Sequence, residues 1–125
     1  MPRLRWTFGA ATVTPVREQD ARVPVAGLLS GVTPEDVGAH AGWLAPWALD
    51  DGHLLLSIQA LGIESEGRRI LVDTCVGSRP LPDVYAHLSA DESFLDALAS
   101  AGFARETVDT VICTHLHFDH VGWNT

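Results

Sequence analysis

The strongest structural signal in the sequence is carried by residues 111–124, which read VICTHLHFDHVGWN. The triplet Val111-Ile112-Cys113 has no polar alternation, which is typical of a strand buried on both faces, and we predict this strand over residues 108–114. Four potential metal ligands then follow within six residues: His115, His117, Asp119 and His120. A chance match to H-x-H-x-D-H in a chain of this composition has a probability on the order of one in a thousand.

These four side chains have the chemistry of a metal site. Imidazole nitrogens and a carboxylate suit zinc, and manganese and iron also accept this ligand set. Alternate residues of an extended segment face one side, so His115 and His117 are predicted to reach one ion and Asp119 and His120 a neighbouring one. Two such ions can share a bridging hydroxide and polarise a carbonyl or phosphoryl oxygen, which predicts hydrolysis.

The remaining histidines and the cysteines are isolated along the sequence. His40, His53 and His87 are predicted to be ordinary surface or helix-end residues. Cys75 and Cys113 are predicted to be buried free thiols in strands or at strand ends. A disulfide, a catalytic thiol and a cysteine metal ligand are the alternatives.

The segments before this signal predict a hairpin and then a helix. Apolar residues alternate over residues 54–63, a turn follows at Glu66-Gly67, and a second strand over residues 70–72 ends at Asp73. A Pro-rich loop leads to a capping box at residues 89–92, which begins a helix that Gly102 ends.

The N-terminal part gives weaker signals. A first strand is predicted over residues 4–16, and residues 17–52 are rich in Pro, Gly and acids. Within this stretch, Thr33 and Pro34 predict the start of a short helix to about His40, which resumes over residues 43–45.

Composition limits the function classes. The chain has 125 residues, 46% of them hydrophobic, enough for one modest globular domain. A net charge of −8 without any basic run argues against nucleic acid or an anionic membrane as partner, and no stretch approaches membrane-spanning length. A cytoplasmic protein with a small-molecule substrate is expected, and the sequence leaves open whether it forms a homodimer.

The motif and its surroundings resemble the metallo-β-lactamase superfamily. Residues 70–77 and 111–124, with the loop and helix between them, are similar to the branch of N-acyl homoserine lactonases and methyl parathion hydrolases. The resemblance implies an α/β fold, namely the N-terminal half of an αββα sandwich with a mixed sheet and short helices. It covers about half of the chain well and the N-terminal part loosely.

The resemblance also implies roles for individual residues. His115 and His117 would bind the first of two divalent ions, and Asp119 and His120 the second, with zinc as the first candidate. Asp119 would also handle the proton of the leaving group. Asp73 would support the site from behind the ligands, or alternatively act as a plain strand-end acid. Trp123 would line the substrate pocket, with packing as the alternative.

Members of the family continue beyond this motif and supply further ligands from a second half. The resemblance therefore implies that residues 1–125 form a single incomplete domain that ends after the first metal-binding motif. Such a half-sandwich is expected to expose a sheet face and strand edges, to be marginally stable, and to be inactive alone.

The predicted function is metal-dependent hydrolysis of small esters, lactones or phosphotriesters. One alternative is a non-catalytic fragment that only binds metal or pairs with a partner. Another is a thioesterase or a nuclease on the same fold, and Trp123, where thioesterases often carry a second glycine, argues against the former.

Overall fold

A computed structural model describes residues 4–88 and 91–124. The strands are β1 (Trp6–Phe8), β2 (Ala11–Pro24), β3 (Leu49–Asp50), β4 (His53–Ser65), β5 (Arg68–Val72) and β6 (Thr110–Ile112). The α-helices are α1 (Val25–Leu28), α2 (Pro34–Gly38), α3 (Ala41–Leu44), α4 (Ser93–Ser100) and α5 (Phe118–Val121). Short 3-10 helices cover Asp83–Leu88 and Arg105–Thr107. No helix in the described ranges is long and apolar enough to cross a membrane.

The chain divides into two compact units. The first combines Met1–Gln19 with Ile58–Thr125, and the second is Asp20–Ser57. The division does not test whether residues 1–125 form a single incomplete domain, which stays a prediction.

The strands form a mixed sheet with the order β1-β2-β4-β5-β6, and β3 pairs with β4 off this path. The predicted hairpin is confirmed, because β4 and β5 pair antiparallel from Leu61↔Val72 to Ser65↔Arg68. Glu66 and Gly67 between them both have positive φ, at 50° and 78°, as a tight two-residue hairpin turn requires. β6 joins β5 in parallel, and α4 lies in the connection between them.

The N-terminal strand prediction was partly wrong. Residues 4–16 contain two antiparallel strands, β1 and β2, separated by a turn at Gly9 with φ 59°. β2 then continues to Pro24 through a stretch predicted to be irregular. Sheet pairing and the burial of Thr14, Val16 and Ala21 outweigh the local proline and acid content.

The prediction of a strand buried on both faces at residues 108–114 was also wrong. β6 covers only Thr110–Ile112, and the side chains of Val111 and Ile112 are 47% and 49% exposed. β6 is the last strand in the sheet order and pairs with β5. The apolar residues show that the strand is suited to burial on both faces. They do not show whether other parts of this chain cover those faces.

The helix predictions were confirmed apart from their ends. α4 buries Phe94 and Leu98 and is followed by Gly102 at φ 93°. Part of the predicted capping box, Ser89 and Ala90, lies outside the described residues. Where the chain is described again, the Asp91 carboxylate accepts a hydrogen bond of 2.9 Å from the Ser93 backbone N–H.

The second unit has its own small core. Thr33 is the N-cap of α2 and Pro34 its first residue, as predicted, and Asp36 completes a capping box that was not predicted. α3 follows at Ala41–Leu44, so the helix predicted over residues 43–45 is confirmed but begins two residues earlier. The core is formed by Val25, Val37, Leu49 and Leu54.

The core of the first unit lies between the sheet and α4. Its buried members are Val16, Ala60, Leu71, Cys75, Phe94, Leu98 and Phe103. Gly62 on β4 lies directly against the fully buried Phe103 ring, which would be 2.4 Å from a Cβ at this position.

Gly62→Ala is therefore expected to lower the free energy of unfolding by about 1 to 3 kcal/mol, because the added Cβ would overlap the buried ring and force it to shift. Urea denaturation measures this loss. The double variant with Phe103→Leu should lose less than the sum of the two single variants, since the smaller side chain relieves the clash. Strict additivity would contradict the packing described here.

Candidate metal centre

The predicted ligands lie where β6 ends and α5 begins. His115 is in the loop after β6, His117 is the residue before α5, and Asp119 and His120 are in the first turns of α5. A bend followed by one helical turn gathers side chains that are adjacent in sequence, and the His120 backbone N–H donates to the His117 carbonyl at 3.0 Å.

The three imidazoles and the carboxylate lie close together. The ring centroids of His115 and His117 are 4.6 Å apart, and those of His115 and His120 are 3.9 Å apart. The Nε2 atom of His120 is 3.3 Å from Oδ2 of Asp119. The structure thus brings together all four residues that the sequence predicted as ligands.

Asp73 supports this cluster from the end of β5. Its carboxylate accepts hydrogen bonds from the backbone N–H of Thr114 at 2.8 Å and from Nδ1 of His120, also at 2.8 Å. The Thr114 hydroxyl donates to the same carboxylate at 2.9 Å. Asp73 therefore contacts one predicted ligand directly, and its role in supporting a bound metal stays a prediction.

These hydrogen bonds determine which nitrogen of each ring is available. Because an ionised carboxylate only accepts, the proton of His120 must be on Nδ1, which leaves the lone pair on Nε2. The Thr114 hydroxyl donates to Asp73, so its oxygen can accept from Nδ1 of His115 at 3.0 Å. In this tautomer the lone pair of each neutral ring is on Nε2, and an imidazole nitrogen with a free lone pair is the form that binds metal.

The charge of Asp73 is stabilised by the same contacts. Burial by itself raises the pKa of the Asp73 carboxyl, but hydrogen bonds from Thr114 and His120 outweigh it and hold the pKa below its ordinary value. Asp73 is consequently ionised at neutral pH and can orient His120.

The four residues fit divalent ions by donor type, since they supply imidazole nitrogens and a carboxylate oxygen. The His115 ring lies near both His117 and His120, with centroids 4.6 Å and 3.9 Å apart, and Asp119 lies beside His120. No group of three or more His, Cys, Asp or Glu side chains in the described part of the chain is arranged to hold one ion together. This agrees in number with the predicted site, in which this segment supplies only two ligands to each ion.

The loop after β5 is fastened to the chain after the motif by backbone contacts. The Thr74 N–H donates to the His120 carbonyl at 2.9 Å, and the Gly122 N–H donates to the Cys75 carbonyl at 2.8 Å. The segments touch so closely that a Cβ on Gly122 would lie 1.9 Å from the Val76 carbonyl oxygen. Only glycine fits at Gly122, the residue directly after α5.

The loop after β5 is also conformationally strained. Asp73, Cys75 and Gly77 have φ values of 61°, 54° and 77°, so every second residue is left-handed. Such a conformation costs about 1 to 3 kcal/mol at a residue other than glycine, and it persists only where neighbouring contacts impose it. These contacts are concentrated beside the predicted metal ligands.

Trp123 packs into the protein interior. Its ring stacks on Phe94 with centroids 6.4 Å apart and its indole N–H donates to Glu18 at 2.8 Å. It also lines an apolar cavity of about 290 Å³ together with Leu71 and Val111, and none of the four predicted ligands is among the described residues that line it. These contacts favour the packing alternative, while the substrate-pocket role stays a prediction.

The other histidines have local partners. The His40 ring lies against Trp43, and Nδ1 of His53 is 2.8 Å from the Asp51 carbonyl oxygen. His87 lies in the last turn of the 3-10 helix Asp83–Leu88 and is not buried. These are ordinary surface and helix-end positions, as predicted.

The cysteines are both free but differ in exposure. Cys75 is fully buried, as predicted, and burial raises the pKa of its thiol far above the usual range, with the nearby Glu18, Asp73 and Asp119 carboxylates adding to the effect. Cys113 is only half-buried, so the prediction of two buried thiols was half wrong. Its sulfur accepts a hydrogen bond from the Asn124 side-chain amide at 3.3 Å.

We expect iodoacetamide at neutral pH to label Cys113 in the native protein and Cys75 only after unfolding, because the reactive thiolate of Cys75 is suppressed and inaccessible. Peptide mass spectrometry of samples labelled with and without urea reads out both sites. Rapid native labelling of Cys75 would contradict its placement in the core.

The roles of two residues in the site region could not be predicted from the sequence. Thr114 belongs to the motif, but its hydrogen bonds to Asp73 and to the histidines depend on the folded structure. Glu18, on β2, accepts hydrogen bonds from both sides of the site region and was assigned to an irregular stretch. Its sequence separation of 105 residues from Trp123 leaves no local pattern to find.

Comparison with known proteins agrees with this geometry. A family model described as the metallo-beta-lactamase superfamily matches residues 55–125, which is more than half of the chain. The chain therefore belongs to the metallo-beta-lactamase superfamily, a hydrolytic superfamily. The resemblance and the mixed α/β fold inferred from the sequence are confirmed.

Solved structures share the fold along most of the chain. The hydrolase AbOPH of the beta lactamase superfamily is 24% identical, with a TM-score of 0.72 over 95% of this chain and 38% of AbOPH. AidC, described as a dizinc quorum-quenching lactonase in complex with a homoserine product, is 17% identical, with a TM-score of 0.71 over 96% of this chain and 38% of AidC. A probable metal-dependent hydrolase from Staphylococcus aureus is 17% identical, with a TM-score of 0.68 over 93% of this chain and 41% of that one.

The chain thus spans about two-fifths of the length of these structures. At these identities the likeness shows the fold alone. No curated protein matches the chain at a significant level.

Proposed function

We propose that this chain belongs to a metal-dependent hydrolase that acts on small esters, lactones or phosphotriesters. The observation that carries the proposal is the close placement of His115, His117, Asp119 and His120, with Thr114 and Asp73 hydrogen-bonded to Nδ1 of His115 and His120. Ordinary packing does not require this tautomer control, whereas metal ligation does.

Each residue then has a distinct role. His115 and His117 would hold a first divalent ion, and Asp119 and His120 a second, with zinc preferred over manganese or iron for this donor set. Divalent ions bound here would activate water and polarise the reacting oxygen. Asp119, at the cluster, would carry the proton to the leaving group.

The choice of substrate class rests on the family and on charge. AidC is described as a lactonase and AbOPH as a hydrolase, and we extend hydrolysis of small electroneutral substrates to this chain. The net charge of −8 disfavours polyanionic substrates and anionic membranes, so we propose a cytoplasmic enzyme without a nucleic acid or membrane partner. The sequence leaves open whether the protein forms a homodimer, and sedimentation would decide it.

The test uses the full-length gene product. Elemental analysis should find about two zinc ions per chain, and the protein should hydrolyse an acyl homoserine lactone, an aryl ester or a phosphotriester in a way that chelator abolishes. A thioester and a single-stranded DNA serve as comparison substrates. A folded, metal-free and inert protein would refute the proposal.

The non-catalytic alternative is favoured by one observation, the exposed apolar strand β6 at the end of the sheet order. Such an edge can pair with another chain. Turnover by a dinuclear site in a protein of these residues alone would exclude that alternative.

A further inference from the structure

Glu18 joins three separate segments of the first unit. It lies on β2, half-buried, and its carboxylate accepts hydrogen bonds from the backbone N–H groups of Val76 at 2.9 Å and Gly77 at 3.1 Å. It also accepts the indole N–H of Trp123 at 2.8 Å. One side chain thereby holds both the loop after β5 and the chain directly after the metal motif.

The two backbone N–H groups form a small concave anion site. Successive N–H groups point the same way where the backbone turns through the left-handed region, here at Cys75 and Gly77. The Glu18 carboxylate fills this concavity, so it compensates the unfavourable backbone of the loop. Without the carboxylate, the Val76 and Gly77 N–H groups would lose the acceptor that they share.

The same loop carries the contacts that place His120. The Thr74 N–H donates to the His120 carbonyl, and the Cys75 carbonyl accepts from the Gly122 N–H. Trp123 follows Gly122 directly and is fixed by Glu18 from the other side. Displacement of either segment therefore moves the backbone of His120.

We propose that Glu18 is a positioning residue for the metal centre, acting on His120 through the loop after β5 and through Trp123. This inference rests on the proposed metal-binding function, but the position of the loop can be measured without metal. The hydrogen bonds described for Glu18 go to the loop after β5, to Trp123 and to the neighbouring Gln19 rather than to a predicted ligand, so its effect on His120 is indirect.

Glutamine is the informative replacement. A carboxylate only accepts hydrogen bonds, and the Gln19 side-chain amide also donates to Glu18, at 3.4 Å. An amide in place of the carboxylate turns an NH2 group toward at least one of these four donors. Glu64→Gln is the matched control, because Glu64 lies on β4 and its partner is the exposed Arg5. Trp123→Phe is the second variant, which removes the indole donor and keeps the ring on Phe94.

The first measurement is hydrogen exchange of the metal-free full-length protein. In Glu18→Gln we expect the amides of Thr74 and Gly122 to exchange at least about tenfold faster than in the parent, with unchanged exchange in the strand β4. Glu64→Gln should match the parent at all of these amides. A folded Glu18→Gln protein with parental exchange at both amides would overturn the proposal.

The second measurement is zinc affinity by competition with a chromophoric chelator. Glu18→Gln should weaken zinc binding about tenfold, and Trp123→Phe by a smaller factor, since residues behind metal ligands tune affinity in this way. If Glu18→Gln does not fold, Trp123→Phe decides, and parental exchange at Gly122 in that variant would also overturn the proposal. A parent protein that binds no zinc refutes the proposed function. The exchange data would still show whether Glu18 positions the loop after β5.

Discussion

Gly122→Ala is expected to push the chain after α5 away from the loop after β5 and to lower the free energy of unfolding by about 3 kcal/mol or more. A Cβ at this position would lie 1.9 Å from the Val76 carbonyl oxygen and 2.4 Å from the Gly77 nitrogen. Both are backbone atoms, which cannot rotate away as a flexible side chain would. Urea denaturation reports the loss of stability, and zinc titration should show weakened binding because His120 lies two residues away.

Gly38→Ala provides the matched control. Gly38 ends α2, and a Cβ there would have no atom within 4 Å. Alanine favours a helix over glycine by up to about 1 kcal/mol, so this variant should be as stable as the parent or slightly more stable. Equal stability of the Gly122→Ala and Gly38→Ala variants would contradict the close contact between the two loops.

Asp73→Asn is expected to weaken zinc binding by about 10-fold to 100-fold and to lower the free energy of unfolding by about 2 to 4 kcal/mol. Asparagine keeps the shape and tolerates the left-handed backbone at φ 61°. It loses the charge and turns an amide toward Thr114 or His120, so the tautomer of His120 is no longer fixed. Zinc competition and urea denaturation in the presence of EDTA measure the two effects separately.

The stability effect of Asp73 should depend on pH. Because the pKa of Asp73 is held below its ordinary value, its contribution is present above the unfolded-state pKa of about 3.9 and is lost as the pH falls through the lower folded-state pKa. The difference between parent and Asp73→Asn is therefore expected to be full at about pH 6 and to shrink below about pH 4. Asp96→Asn, on the exposed side of α4, should change stability by less than about 0.5 kcal/mol throughout. A difference that grows toward acidic pH would contradict the hydrogen-bonded carboxylate.

Local signals predicted the parts of the fold that local chemistry controls. The hairpin of β4 and β5 follows from alternation and from the Glu66-Gly67 turn, and the ends of α2 and α4 follow from Thr33 and Gly102. The clustering of the four ligand residues was predicted because they are neighbours in sequence.

Long-range contacts account for what the sequence did not predict. β2 is a long strand because it lies between β1 and β4 in the sheet, although its prolines and acidic residues disfavour a strand. The exposure of β6 depends on what covers the strand, which its own residues cannot encode. Glu18 reaches Trp123 across 105 residues, and the Gly122 contact with Val76 requires knowledge of how two loops cross.

The central claim is tested most directly by anomalous X-ray diffraction from crystals of the full-length protein grown with zinc. We predict two anomalous peaks, one within about 2.0 to 2.2 Å of nitrogen atoms of His115 and His117, and one at the same distance from Asp119 and from Nε2 of His120. Well-ordered side chains at these positions with no anomalous peak among them would contradict the account.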